Sequence, residues 1–278
     1  MPENTNPRIA ASQLNSSESV EENLRTSFEF LASAKDKGAH CAVLPENFAW
    51  MGDENRGAEV AEHAGKGPVQ EFLSQSAREL GLWIFAGSHK LFVPGDEDAR
   101  LSNTMLVFDP EGQQRARYDK IHLFDADIND GSPYRESATF KPGESLVVVD
   151  TGVARVGLSI CYDLRFPELY QALRAKGADI ILVPAAFTVP TGQAHWQPLL
   201  RARAIENQAY ILAPAQCGIH SNDRKTWGHS LCIDPWGEIV GKLQKEPGII
   251  YCEFDAEKLV DIRSSMPITE HRRVDQIK

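Results

Sequence analysis

Val153-Ala154-Arg155-Val156-Gly157-Leu158-Ser159-Ile160-Cys161-Tyr162-Asp163-Leu164-Arg165-Phe166-Pro167-Glu168 is a largely apolar run that breaks at a cysteine and restarts as a helix. Val153 to Ile160 has the composition of a buried strand. Pro167 suits the first position of a helix and Glu168 the positive end of its dipole, so a helix is expected to begin there. A strand feeding a helix in this way implies α/β structure. It puts Cys161 on the bend, at the carboxyl end of the strand, where α/β sheets hold their ligands. A thiol so placed is a candidate nucleophile. The competing reading is packing, because free cysteine is among the most buried residue types.

Two further segments weigh on that choice. Cys41-Ala42-Val43-Leu44-Pro45-Glu46 is a second apolar run, ending in a carboxylate. Tyr118-Asp119-Lys120-Ile121-His122-Leu123-Phe124 sets a lysine beside a strand-like stretch. A glutamate, a lysine and a cysteine at three strand ends are the parts of a base, an oxyanion stabiliser and a nucleophile.

Composition bounds the rest. The chain has 278 residues, with 42% apolar and 24% charged, as in a soluble globular protein. No apolar run approaches the 18 residues of a membrane span. The polar start, Met1-Pro2-Glu3-Asn4-Thr5-Asn6, shows no secretory signal, so the cytoplasm is expected. The net charge of −10 provides no general field for nucleic acid or anionic membrane, and neither is expected as a partner. An anionic substrate would need a local cationic pocket. The five cysteines, Cys41, Cys161, Cys217, Cys232 and Cys252, are odd in number and lack CxxC spacing. That argues against a disulfide framework and a structural zinc site. The eight histidines form no HxxxH or HExxH pattern, and no metal or cofactor is expected.

Strand-like and helix-like segments alternate along the chain. Ser19 and Glu22 have capping-box spacing ahead of a stripe at Val20, Leu24, Phe28 and Leu31. Val69, Phe72, Leu73, Ala77 and Leu80 make another stripe, stopped by Gly81. Asp109-Pro110-Glu111-Gly112 and Asp234-Pro235-Trp236-Gly237 are matching turns at matching points of two strand-and-helix successions, which suggests two pseudo-equivalent halves sharing one core. No linker divides the chain, so a single domain over 1–278 is expected, with a core of about 8–256 and a C-terminal tail of 257–278. The long, weakly patterned stretch from Asp125 to Gly143 reads as a functional loop.

Together, Leu44-Pro45-Glu46, the lysine segment and Ile160-Cys161-Tyr162-Asp163-Leu164-Arg165-Phe166-Pro167-Glu168 resemble the nitrilase superfamily of carbon–nitrogen hydrolases, from Ile9 to about Arg273. Further segments narrow the resemblance to the Nit-type amidases, among them Tyr134-Arg135-Glu136-Ser137, Ala215-Gln216-Cys217-Gly218 and His271-Arg272-Arg273. They are most like the branch that acts on deaminated glutathione, and several are shared with the ω-amidase branch. The resemblance implies an α-β-β-α sandwich of two half-sheets. It also implies a homodimer formed across the helices after Cys161 and Trp196, with Pro267 to Arg273 helping to fix it.

The roles follow from the chemistry of an amide, a poor electrophile with a poor leaving group. Cys161 would attack, Glu46 would shuttle the proton, and Lys120 with the Tyr162 N–H would hold the oxyanion, each donor being worth roughly 3–4 kcal/mol. By resemblance Glu136 is a second active-site acid, with Glu144 its nearby competitor. Arg165 is either a clamp for a substrate carboxylate or half of an ion pair with Asp163 or Glu168. Phe187, Thr191, His195 and Trp196 line the pocket by resemblance, with ordinary packing the other reading. The implied reaction is hydrolysis of 2-oxoglutaryl-cysteinylglycine through a cysteinyl thioester. Its rivals are ω-amidase action on 2-oxoglutaramate, a broader small-carboxamide amidase, and a catalytically silent binding member of the fold.

Overall fold

Chain order explains the architecture of the computed structural model, which describes residues 6–96, 98–128 and 133–273. The first half gives β1 (Arg8–Gln13), α1 (Val20–Asp36), β2 (Ala39–Val43), α2 (Pro68–Leu80), β3 (Trp83–Phe85), β4 (His89–Phe92), β5 (Leu101–Phe108) and β6 (Gln114–Asp119). A small ribbon, β7 (Asp125–Asp127) with β8 (Pro133–Arg135), follows. The second half gives β9 (Val148–Asp150), β10 (Arg155–Leu158), α3 (Pro167–Ala175), β11 (Ile180–Leu182), the short α4 (Val189–Thr191), α5 (Gln197–Asn207) and β12 (Tyr210–Ala213). The hairpin β13 (Cys217–Ile219) and β14 (Lys225–Trp227) precedes β15 (Leu231–Ile233), β16 (Ile239–Lys242), β17 (Gly248–Glu253), α6 (Ala256–Ser265) and α7 (Ile268–His271).

Two sheets result. One runs β17-β1-β2-β3-β5-β4, with β6 also paired to β5; the other runs β16-β15-β12-β11-β10-β9. In the first, β1, β2 and β3 are parallel, then β5 and β6 are antiparallel. In the second, β10, β11 and β12 are parallel, then β15 and β16 are antiparallel. The expected pseudo-equivalence of the halves is therefore explicit in the pairing. The two turns are alike in detail. Asp109 Oδ1 accepts the N–H groups of Glu111 and Gln113, and Asp234 Oδ1 accepts those of Trp236 and Glu238. Gly112 and Gly237 close them at φ +75° and +88°, where a side chain is strained.

Three apolar layers hold the sandwich together. Ile9, Val43, Phe85 and Val107 of the first sheet face Leu158, Ile180, Leu182 and Leu212 of the second. α1 and α2 cover the outer face of the first sheet through Leu31, Leu73 and Ala77, and α3 and α5 cover the second through Tyr170, Leu173, Leu200 and Ala204. α2 stops where the sequence says, at Gly81, which is left-handed with φ +60°.

The structure departs from the sequence reading in two places here. Cys232 on β15 and Cys252 on β17 are joined as a disulfide, with Cα atoms 6.2 Å apart. They lie on different sheets and meet in the middle layer, a proximity that spacing along the chain does not carry. The segment after 256 is also less of a tail than expected. Leu259 and Ile262 of α6 are buried, and Arg263 bonds Asp179, the Ala178 carbonyl and the Gln208 carbonyl.

Candidate active site

Three strand ends meet at one end of the sandwich. Glu46 follows β2 and Lys120 follows β6 in the first sheet, while Cys161 follows β10 in the second. Each is pinned by its backbone. Gly87 lies against the chain before Glu46, and a Cβ there would fall 2.0 Å from the Pro45 carbonyl oxygen. Lys120 N–H donates to the Asn103 carbonyl at 2.9 Å, continuing the β5–β6 ladder by one residue.

Cys161 sits at φ +49°, a left-handed conformation uncommon outside glycine, and its N–H donates to the Pro184 carbonyl at 2.9 Å. The bend is held from beneath by Asp163, which is fully buried. Its carboxylate accepts the Ile160 N–H at 2.9 Å, the His122 N–H at 3.0 Å and the Tyr118 hydroxyl at 2.6 Å, and it lies 2.7 Å from His122 Nδ1. Since Tyr118 and His122 flank Lys120, that one carboxylate ties the cysteine bend to the lysine segment. Arg203 of α5 adds two bonds to the Leu164 carbonyl, at 3.0 and 2.8 Å.

The charged groups form one cluster. Lys120 Nζ lies 3.2 Å from Glu46 Oε1 and 2.8 and 2.7 Å from the two oxygens of Glu136. Glu46 Oε2 accepts the Ala186 N–H at 2.8 Å, and Glu136 Oε2 accepts the Phe124 N–H at 2.6 Å. Burial alone would raise the Glu46 pKa. The Lys120 charge, a hydrogen bond with the Cys161 thiol and the Arg224 charge outweigh it and hold Glu46 below the ordinary carboxylate range. The Cys161 thiol is pushed well above its ordinary value, first by burial and then by the facing Glu46, with Lys120 only partly opposing. Burial disfavours the Lys120 ammonium, yet Glu136 and Glu46 raise its pKa. At rest the site therefore holds a neutral thiol against an ionised carboxylate and a fixed ammonium. Such a trio can deprotonate a thiol as it attacks and can stabilise a developing oxyanion.

The cluster opens into a cavity of about 800 Å³. Tyr162, Arg165, Phe187 and Thr191 line it. His195 does not. It is exposed, outside the wall, with Nδ1 3.3 Å from Arg165 Nη1, because the chain turns through a π-helical segment at Gly192–Trp196 before α5. Trp196 is core, packed on Phe187 and donating to the His229 carbonyl at 2.8 Å. Glu136 lies against Lys120 and lines the cavity, and Glu144 is exposed, outside its lining. Among the described residues Arg165 pairs with no carboxylate. Its guanidinium lies over the rings of Tyr162 and Phe187, at 5.6 Å from each. The ion pair with Asp163 or Glu168 does not form, because Asp163 faces the lysine segment instead. Asn103, Ala186 and Arg224 are contributors that the sequence reading did not single out, and Asp163 enters it only as an ion-pair partner for Arg165. Their signal is cross-strand register, which no local motif carries.

A cysteine, a lysine and two glutamates at the strand ends of an α-β-β-α sandwich are the parts of a thiol hydrolase for carbon–nitrogen bonds. The chain belongs to the carbon-nitrogen hydrolase family, whose model matches residues 8–264. It is 44% identical over 269 residues to a deaminated glutathione amidase of Yersinia enterocolitica, covering 96% of this chain and 93% of that one. The C. elegans NitFhit protein has the same fold, with a TM-score of 0.88 at 37% identity; the match covers 98% of this chain and 66% of that longer one. The amidase of Nesterenkonia sp. AN1 follows with a TM-score of 0.76 at 28% identity, over 95% of this chain and 99% of that one, in a form in which acrylamide has added to its active-site cysteine.

Proposed function

We propose that this enzyme hydrolyses the amide bond of deaminated glutathione, 2-oxoglutaryl-cysteinylglycine, giving 2-oxoglutarate and Cys-Gly through a thioester on Cys161. The supporting observation is the convergence of thiol, ammonium and two carboxylates on a cavity rimmed by an arginine that pairs with no carboxylate among the described residues. The chain also resembles enzymes named for that substrate. Glu46 takes the thiol proton as Sγ attacks the carbonyl carbon. The oxyanion forms against Lys120 Nζ and the Tyr162 N–H, while Glu136 anchors Lys120 through both oxygens. Glu46 then passes the proton to the departing nitrogen. Water, deprotonated by the same carboxylate, cleaves the thioester and restores the thiol. A catalytically silent member of the fold would have no reason to keep all four groups in contact.

Arg165 is the cation for the acyl-side carboxylate, paired with no carboxylate among the described residues and with its plane already supported by two rings. A comparison of kcat/KM for the cysteinylglycine amide, 2-oxoglutaramate, a neutral aliphatic amide and a nitrile tests the substrate. The first is expected to lead by at least about tenfold, roughly 1.4 kcal/mol. Arg165→Ala is expected to lower kcat/KM by about 100-fold for both anionic amides and to spare the neutral one. Preference for 2-oxoglutaramate would make the enzyme an ω-amidase, and indifference to Arg165 would remove the clamp.

We further take the enzyme to be a cytoplasmic homodimer. Support for the dimer comes from large apolar side chains exposed on α5, the β15–β16 turn and α6: Ile205, Trp236 at 56% and Val260 at 62%. Light scattering at micromolar concentration is expected to give twice the 30.8 kDa chain mass, and a monomeric mass would overturn the assembly.

A further inference from the structure

Asn103 lies on β5 directly across from the lysine segment, since its carbonyl accepts the Lys120 N–H at 2.9 Å. Strand pairing therefore delivers the two side chains to the same place. Asn103 Nδ2 donates to Glu46 Oε1 at 3.0 Å and to Glu136 Oε1 at 3.3 Å. Lys120 Nζ reaches those same oxygens at 3.2 and 2.8 Å. Two carboxylates thus share two donors, an ammonium and an amide. Ionised carboxylate oxygens only accept, so the amide must present its nitrogen. That choice leaves Asn103 Oδ1 buried with no donor among the described residues. A buried acceptor without a protein partner calls for an explanation, and the nitrogen's contacts with two carboxylates supply one.

We propose that Asn103 is a positioning residue of the reaction: by tying down Oε1 of Glu46 it keeps that carboxylate ionised and leaves Oε2, beside the Ala186 N–H, for the Cys161 thiol. This rests on Glu46 acting as the base. Four other groups face Glu46: Lys120 at the end of β6, Cys161 on the bend, Arg224 before β14 and the Ala186 N–H after β11. Glu136 stands across Lys120. Removing the amide takes a donor from the ionised form alone, so protonation of Glu46 becomes easier. The pH below which the base is lost then rises. Aspartate in its place would set a third negative charge on the same oxygens.

The test is the pH profile of kcat/KM for the parent, Asn103→Ala, Asn103→Asp and Asn103→Ser. Asn103→Ala is expected to lower kcat about tenfold at neutral pH, with KM changed less than about twofold and the acid limb moved to higher pH. Asn103→Asp should lose more and move further. Asn103→Ser keeps a donor and should move less, and it carries the test if the alanine variant does not fold. A uniform fall with an unmoved acid limb, or a loss carried by KM, would overturn the proposal. Glu46→Gln run alongside separates the two layers of the argument. An active Glu46→Gln removes Glu46 as base, whereas an inactive one beside an unmoved Asn103→Ala profile removes Asn103 alone.

Discussion

Cys161→Ala is expected to lower amide hydrolysis by about 10⁴-fold or more, at least roughly 5.5 kcal/mol of transition-state stabilisation, while the protein stays folded. No other thiol can substitute. Cys41 and Cys217 are buried, and burial pushes both up to about 12, far from the thiolate form at neutral pH. The Cys161 thiol is likewise raised above its ordinary value at rest, but among the free cysteines it alone hydrogen-bonds a base, so its proton leaves during attack rather than before it. Mass spectrometry of quenched turnover in the parent should find the acyl group on Cys161. Acylation of Cys217 with Cys161 free, or full activity in the alanine variant, would remove the nucleophile assignment. The thermal midpoint should move by only a few degrees, because the side chain is only partly buried and small.

Lys120→Met should be the most damaging change to stability. The lysine is 2% exposed and is the shared cation of Glu46 and Glu136. Removing one partner of a buried pair strands the other's charge, and about 3–5 kcal/mol is expected. The pH dependence should change sign. In the parent the depressed Glu46 contributes stability above the unfolded carboxylate pKa, and this is lost as pH falls through the folded value. Without Lys120 the buried carboxylates prefer their protons, so their folded pKa values lie above the unfolded ones. Their contribution is then fully present only below the unfolded pKa and is lost as pH rises through the folded values. Urea midpoints should fall more between pH 5 and pH 8 in the variant than in the parent. Equal midpoints at pH 8 would show that the ammonium does not hold the cluster together.

The chain announces the parts that depend on local chemistry. The break at Cys161, the carboxylate after Pro45, the Gly81 stop and the two Asp-Pro-x-Gly turns are legible because each is set by a few adjacent residues. The parts that depend on register are silent. Asn103 lies within the buried β5 strand of Leu101-Ser102-Asn103-Thr104-Met105, and nothing local says that it faces two carboxylates. Strands β4 and β6 carry Lys90, Arg115 and Arg117 and lack the apolar signature of strands, so pairing with β5 rather than composition makes them strands. Asp163 and Cys232 are of the same kind. Each finds its partner on a different stretch of chain brought alongside by the fold. Of the residues named by resemblance, Glu136 lies on Lys120 beside the cavity, whereas His195, in a π-helical turn, stands outside its wall.

The left-handed backbone at Cys161 bears on the history of such proteins. Residues other than glycine hold that conformation at a penalty of order 1 kcal/mol, so the position of the proposed nucleophile is one where the fold itself would accept glycine more readily. Selection for stability and selection for chemistry pull in opposite directions at this codon. Once turnover ceases to matter, only the light packing of this small, partly buried side chain against the core retains the thiol, and a lineage can shed it without losing the sandwich. The cavity, the ring-backed arginine and the sheet-end scaffold would then persist as a ready binding surface, available for recruitment to tasks without catalysis.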